Sequence, residues 1–330
     1  MSSTNPPVLF SNDTSDQTCG FVEMFQWRRR FLTPETHINF ILAICFNVLA
    51  CPISISINAM VVYIIFANEP LRNIPSNLVF VLMSVKDLGS SIIAQPLFLA
   101  SISCRISGRC NTCLVDLARN ISLIFFTILS VFYLVFMALD RLISIRNPYL
   151  YPGIATTRSI AIAAILSCVI AFFAVLIPFV STDDTVMEDV GRAVIILSVI
   201  AATLIIIFYV LIYRESRRHQ FAIQAQLNVA FQESQKIAFK AAKTTFLITC
   251  TVGISYFMNG VANAVSGWFF LNNKETNSTQ FFAFECWSLT LILLNSLFNP
   301  LIYTVRSENI AKRLKKLLHF NGRNDAVQEV

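Results

Sequence analysis

Asp87 is the only carboxylate in the middle of a long apolar run in this chain, and Asn58, Ser130, Asn295 and Asn299 stand in the middle of three other such runs. Polar groups within lipid-crossing helices are costly, so each demands a partner, and the partners outline the machinery. Asn295 and Asn299 are four apart and share a helix face, while Ser130 lies three helical turns from Arg141. If the helices carrying Asp87, Ser130 and the two asparagines are neighbours, the spacing predicts an all-oxygen cluster with Asn58 alongside. Carboxylate, hydroxyl and amide oxygens together suit a hard monovalent cation and water. Hydrogen-bonded glue between helices accounts for the same residues equally well.

Asp140 and Arg141 are adjacent at the end of the third run. A cation is favoured at a helix carboxyl terminus, and a guanidinium can fold back on the neighbouring carboxylate. Pro300 removes a backbone hydrogen bond in the seventh run and loosens the segment around Tyr303; broken helices in membranes tend to be moving parts. Enzymatic chemistry is not expected. His37, His219 and His319 lie at the edges of the runs or outside them, and neither a nucleophile with its base nor a metal pair on one helix face is visible. A transporter or channel could use the Asp87 cluster as a transit site, but that reading also predicts internal repeats and paired broken segments, which are missing.

The elements that must position these residues are membrane helices. Charged residues make up 13% of the 330 and hydrophobic ones 55%, where a soluble chain carries about 25% charged. Apolar runs fall at about 38–66, 76–101, 114–140, 158–180, 191–213, 238–270 and 281–304, and crossing a bilayer takes roughly 20 such residues. The fold class expected is all-α, a seven-helix transmembrane bundle over 38–304, with a tail at 1–37 and a basic segment at 305–330. Residues 1–36 contain no apolar stretch of the leader type, so the first span serves as its own targeting signal, and one membrane domain is expected to be the whole protein.

Seven crossings put the termini on opposite sides. With the amino terminus outside, sixteen of the 25 Lys and Arg fall in cytoplasmic segments and eight in outer ones, with Lys86 inside a span. Arg28, Arg29 and Arg30, just before the first span, argue the other way. Two glycosylation sequons, at Asn12 and Asn277, fall in outer segments and favour the assignment to a plasma membrane with an extracellular amino terminus. After the last span, Ile310, Leu314, Leu317 and Leu318 recur at helical spacing among Lys312, Arg313, Lys315 and Lys316. That pattern predicts an amphipathic helix lying on membrane lipid.

Taken in order, Asn58, the stretch Met83-Ser84-Val85-Lys86-Asp87-Leu88, Asp140-Arg141-Leu142, Arg146-Asn147-Pro148-Tyr149, Tyr209, Tyr213 and Asn299-Pro300-Leu301-Ile302-Tyr303 resemble the rhodopsin-like family of G-protein-coupled receptors. Each motif is weak alone; the ordered set covers essentially the whole bundle. The resemblance implies a receptor whose cytoplasmic face opens when an extracellular ligand binds. Arg141 would leave Asp140 and meet a heterotrimeric G protein, Tyr209 and Tyr303 would turn inward, and Tyr149 would pack into the transducer. It also implies that Asp87, Ser130, Asn295 and Asn299 are sodium-binding positions favouring the resting state. No nucleic-acid partner is implied.

Departures from the family pattern matter as much. Leu142 replaces a usual Tyr, Tyr256 a usual Trp and Met258 a usual Pro; span five lacks its Pro near Ala201 and span four its Trp near Cys168. Ala238 stands where an acidic partner for Arg141 often lies, so a resting-state lock between helices is not expected and agonist-free signalling is. A constitutively active or non-coupling seven-helix protein is the alternative. The second outer loop, about 181–190, holds no Cys, so the family's common bridge cannot form; Cys104 with Cys110 or Cys113, and Cys19 with Cys286, are the pairings left open. The short cysteine-free loop is loosely similar to the melanocortin, adenosine and cannabinoid-related branch.

A ligand cavity is expected between the outer helix halves. Gln95, Asp116, Arg119, Asn120, Asn259, Asn263, Glu285 and Trp287 are its polar and aromatic candidates. Asp116 and Arg119 are three apart and can equally pair with each other. Leu123 and Leu293 occupy the positions of the amine-binding Asp and the retinal Lys, which disfavours a monoamine receptor or a light sensor. A peptide, a lipid and a small metabolite all remain open. Lys86, beside Asp87, is expected to snorkel or to touch a neighbouring helix.

Overall fold

The computed structural model describes residues 33–107, 112–180 and 279–306, together with positions scattered through 200–218, 250–265 and 312–316. Every element among the described residues is helical. The tail bearing Asn12 and Arg28 to Arg30, the loop bearing Asn277, and Tyr256, Asn259, Asn263 and Ala238 lie outside them.

Helix α1 (Pro34–Ala67) starts where Thr33 accepts a hydrogen bond from the Thr36 amide at 3.4 Å, with Pro at its first position and Glu35 in its first turn. The one-turn α2 (Glu69–Arg72) follows, and Asn77 Nδ2 donates to the Leu71 carbonyl at 2.9 Å to close the connection. The second span is composite: α3 (Pro75–Gly89), a wide π turn (Ser90–Ala94) and α4 (Gln95–Ser107). Pro96 cannot donate to the turn before it, and the π turn lets the Gln95 amide reach Ser90 instead. The third span is α5 (Thr112–Arg146), α6 (Tyr151–Ile154) caps the following loop, the fourth span is α7 (Thr157–Val180), and the seventh is α8 (Thr279–Arg306).

Four of these helical stretches, 34–67, 75–107, 114–146 and 157–177, are long and apolar enough to cross a membrane. Described positions within 200–215 and 250–265 are also helical. The second and third helices outlast the apolar runs expected at 76–101 and 114–140, because a helix satisfies its own backbone and continues beyond the point where its side chains turn polar. Helix α5 carries the middle of the bundle: Ile128, Leu129, Tyr133, Leu134 and Met137 pack with Val61 and Ile65 of α1, Val79, Val81 and Met83 of α3, and Ala171 of α7. By contrast, Ile162, Ile165, Leu166 and Phe172 of α7 and Ile38, Leu49 and Tyr63 of α1 are exposed, as lipid-facing flanks must be. Spans two and three approach closely at Gly89, where an added Cβ would lie 2.7 Å from the Phe126 ring.

Cys104 is disulfide-bonded, to a partner outside the described side chains, which leaves the local pairing standing. Cys286 is a buried free thiol, so the Cys19–Cys286 pairing does not form. The reason is placement: Cys286 faces inward and is enclosed by Phe40, Phe98 and Ile102.

Beyond the last span, positions 312–314 and 316 are helical, with Lys312, Arg313 and Lys316 exposed and Leu314 half-buried. Arg313 reaches across to donate to Asn68 Oδ1.

Candidate functional site

A ladder of polar side chains runs down the seam between α1, the second span and α8. At its first rung Gln95 Nε2 donates to Asn47 Oδ1 at 3.0 Å, and Asn47 Nδ2 to Thr290 Oγ1 at 3.3 Å. Next, the Ser54 hydroxyl lies 2.8 Å from that of Ser91 in the π turn and donates to the Ser296 carbonyl at 2.9 Å. Asn58 Nδ2 donates to that same carbonyl at 2.8 Å and to the Ser54 carbonyl at 2.9 Å. Thus Asn58 joins α1 to α8 through its amide nitrogen and a backbone carbonyl. These bonds stitch three helices where apolar contacts alone provide little force between them.

Asp87 sits below this ladder and is fully buried, at 0% exposure. Its Oδ2 accepts from Asn299 Nδ2 at 3.1 Å, while its Oδ1 lies 2.5 Å from Lys86 Nζ. Lys86 is itself only 5% exposed. The cluster expected to be all oxygen therefore contains an ammonium, and the lysine expected to snorkel or to reach another helix folds back on its own neighbour. Ser130 is buried on α5, and Asn295 Oδ1 accepts from Ser255 Oγ at 3.1 Å, which turns that amide toward the sixth span. Asn295 Nδ2 and Asn299 Oδ1 are buried without a partner among the described residues. As arranged, the set does not fit the sodium ion that the resemblance implies, because a buried ammonium already neutralises Asp87 and a second cation would be repelled by it.

At the Arg141 end of α5, Arg141 Nε donates to Asp140 Oδ2 at 2.9 Å, and its Nη2 reaches the same oxygen. The other oxygen of Asp140 accepts from the Tyr151 hydroxyl at 2.7 Å. Burial, with Asp140 beside it, pushes the Tyr151 hydroxyl well above its ordinary pKa, so it stays a donor at neutral pH. Arg141 is 9% exposed and Tyr149, three residues beyond Arg146, is 92% exposed. Tyr209 packs against Leu142, Ile145 and Ile212 where the fifth span meets α5. Pro300 is buried within α8, and Tyr303 lies on that helix's last turns. Tyr151 has no signal in the sequence; only α6 brings it under Asp140.

At the opposite end Asp116 is fully buried between two guanidiniums. Arg105 of α4 is paired with its Oδ2, Ser101 donates to its Oδ1 at 2.5 Å, and Arg119 Nη1 lies 3.4 Å from that oxygen. Arg119, only 1% exposed, also donates to Ser101 at 2.7 Å and to Asn120 Oδ1 at 3.1 Å. Of the other pocket candidates, Gln95 belongs to the seam, and Trp287 turns toward α1, donating to Asn39 Oδ1 at 2.9 Å with its ring 5.7 Å from that of Phe46. Glu285 is half-buried within electrostatic reach of Arg105.

Among known proteins, the model of the 7 transmembrane receptor (rhodopsin family) matches residues 57–303. The adenosine receptor A2a of Canis lupus familiaris is 30% identical over 164 residues, which is 49% of this chain and 35% of that receptor, so the matched stretch spans about a third of the relative's length. The family match takes in Asn58, Asp87, the Asp140–Arg141 pair and Asn299–Pro300 alike, and with them most of the helical bundle described above. This chain belongs to the rhodopsin family of seven-transmembrane receptors.

Proposed function

We propose that this chain, with its amino terminus extracellular, binds an extracellular ligand and activates a heterotrimeric G protein by opening the Arg141 end of the bundle. The observation that carries this reading is the latch at that end. Asp140 holds Arg141 through a pair confined to one helix, with a single hydroxyl, that of Tyr151, reinforcing it. A local pair of that kind can release without unpacking two helices from each other. Once released, the guanidinium faces the cytosol beside the exposed Tyr149, and both are suited to contact a transducer. Tyr209 and Tyr303 then turn inward around the loosened Pro300 turn. Ligand and G protein both favour the open form, so each raises the other's affinity.

The ligand enters from the Arg119 end. Asp116 and Arg119 are engaged with each other and with Arg105 and Ser101, so they shape the cavity's rim. Asn120, Asn259, Asn263 and Glu285 supply its polar contacts. Adenosine, after which the canine relative is named, is the first small metabolite to try, ahead of lipids and peptides.

A G-protein dissociation panel in cells tests the reading without a known ligand. At matched surface expression the chain should give output above untransfected cells, and Arg141→Ala should return it to that baseline. Equal output from the chain, the variant and untransfected cells would favour a non-coupling membrane protein instead.

A further inference from the structure

We propose that Lys86 is the resident counter-ion of Asp87: its ammonium fills the position a bound monovalent cation would take, and keeps sodium out. Lys86 Nζ lies 2.5 Å from Asp87 Oδ1, with the lysine and aspartate side chains 4% and 0% exposed. Successive helical residues diverge by about 100°, so a short side chain at 86 could not reach; the four-carbon lysine stem can curl around the helix and bury along it. The side chain does not snorkel, since it is 4% exposed and held on Asp87. Lys86 lies about 17 Å along the helix from Pro75, and its ammonium is buried against Asp87 inside the bundle.

The remaining geometry closes the site to a second cation. Asn299 turns its amide nitrogen, a donor, toward Asp87 Oδ2 at 3.1 Å. Asn295 gives its oxygen to Ser255. An added sodium ion would have to compete with the ammonium at Asp87 Oδ1 and with the Asn299 amide at Oδ2, and would stand beside an ammonium in a low-dielectric interior where like charges repel strongly. The tethered cation costs no binding entropy and cannot be diluted away. Electroneutrality of the helix two–helix seven contact is therefore independent of ionic conditions in this chain.

Thermal unfolding of the purified full chain in detergent, in NaCl against N-methyl-glucamine chloride at equal ionic strength, tests this without ligand or G protein, so its failure would leave the proposed signalling role untouched. The unaltered chain should melt at one temperature in both salts. Lys86→Met, which strands Asp87, should melt lower in the organic salt and regain several degrees specifically in sodium. Asp87→Asn should melt lower than the double variant Lys86→Met/Asp87→Asn, because it leaves the ammonium buried without its acid. Sodium-specific stabilisation of the unaltered chain overturns the proposal, as does a Lys86→Met protein indifferent to sodium. If Lys86→Met cannot be recovered folded, the second comparison decides: a double variant no more stable than Asp87→Asn sinks it.

Discussion

Both ends of helix α5 carry an aspartate held by arginine, yet the two are built differently. Asp116 is gripped by Arg105 from α4 and by Arg119 from its own helix, with Ser101 bridging, so the group fastens the second span to the third. Among the described residues, Asp140 holds its neighbour Arg141, and its second oxygen goes to a hydroxyl from the following loop. The first arrangement ties two spans; the second keeps its ion pair within one helix, as the proposed release of Arg141 requires. An ion pair by itself says little about function. What separates a staple from a latch is how many packed elements must part for it to break.

The contrast is broken most severely at the staple. Asp116→Ala removes the carboxylate shared by two buried guanidiniums and should cost about 3–5 kcal/mol, read as loss of surface expression or a collapsed melting temperature; a normal melting curve would mean the cluster is solvated. Asp140→Asn, at the latch, should raise agonist-free output roughly tenfold, since weakening a charged hydrogen bond by about 1.5 kcal/mol shifts an open–closed equilibrium by that factor. Surface expression should stay near that of the unaltered chain, and output that fell would contradict the latch. Ser101→Ala removes a hydroxyl serving Asp116 and Arg119 together and should cost about 1–3 kcal/mol in thermal unfolding with no change in basal signalling per receptor. Tyr151→Phe is the mildest: about 1 kcal/mol off the latch, seen as a several-fold rise in basal output, and an unchanged basal level would remove Tyr151 from the mechanism.

Much of the bundle is legible without coordinates because apolar length is a local property. The runs at 38–66 and 158–180 coincide with α1 and α7 to within a few residues, and Thr33-Pro34-Glu35 marks the start of α1 by its own chemistry. The polar cluster is legible only in part. Asn299 does reach Asp87, as an asparagine on a neighbouring helix face should. Asn58, however, spends its amide on the Ser296 carbonyl, and Lys86 enters a cluster from which spacing rules exclude it, because adjacent residues on a helix are assumed to face apart. The length of the lysine stem defeats that assumption.

Composition and order alone determine that this chain is a multi-span helical protein with its ionisable groups confined to a few depths, since the cost of placing charge or bare backbone in hydrocarbon acts on each segment separately. Which of those groups join is a different matter. Lys86 with Asp87, Tyr151 with Asp140, Arg105 and Arg119 with Asp116, and Trp287 with Asn39 are decided by helix rotation, the π turn in span two and the path of α6. A hydrogen bond is made or lost over a fraction of an ångström, whereas hydropathy is felt over a whole turn, so the pairing belongs to the tertiary structure.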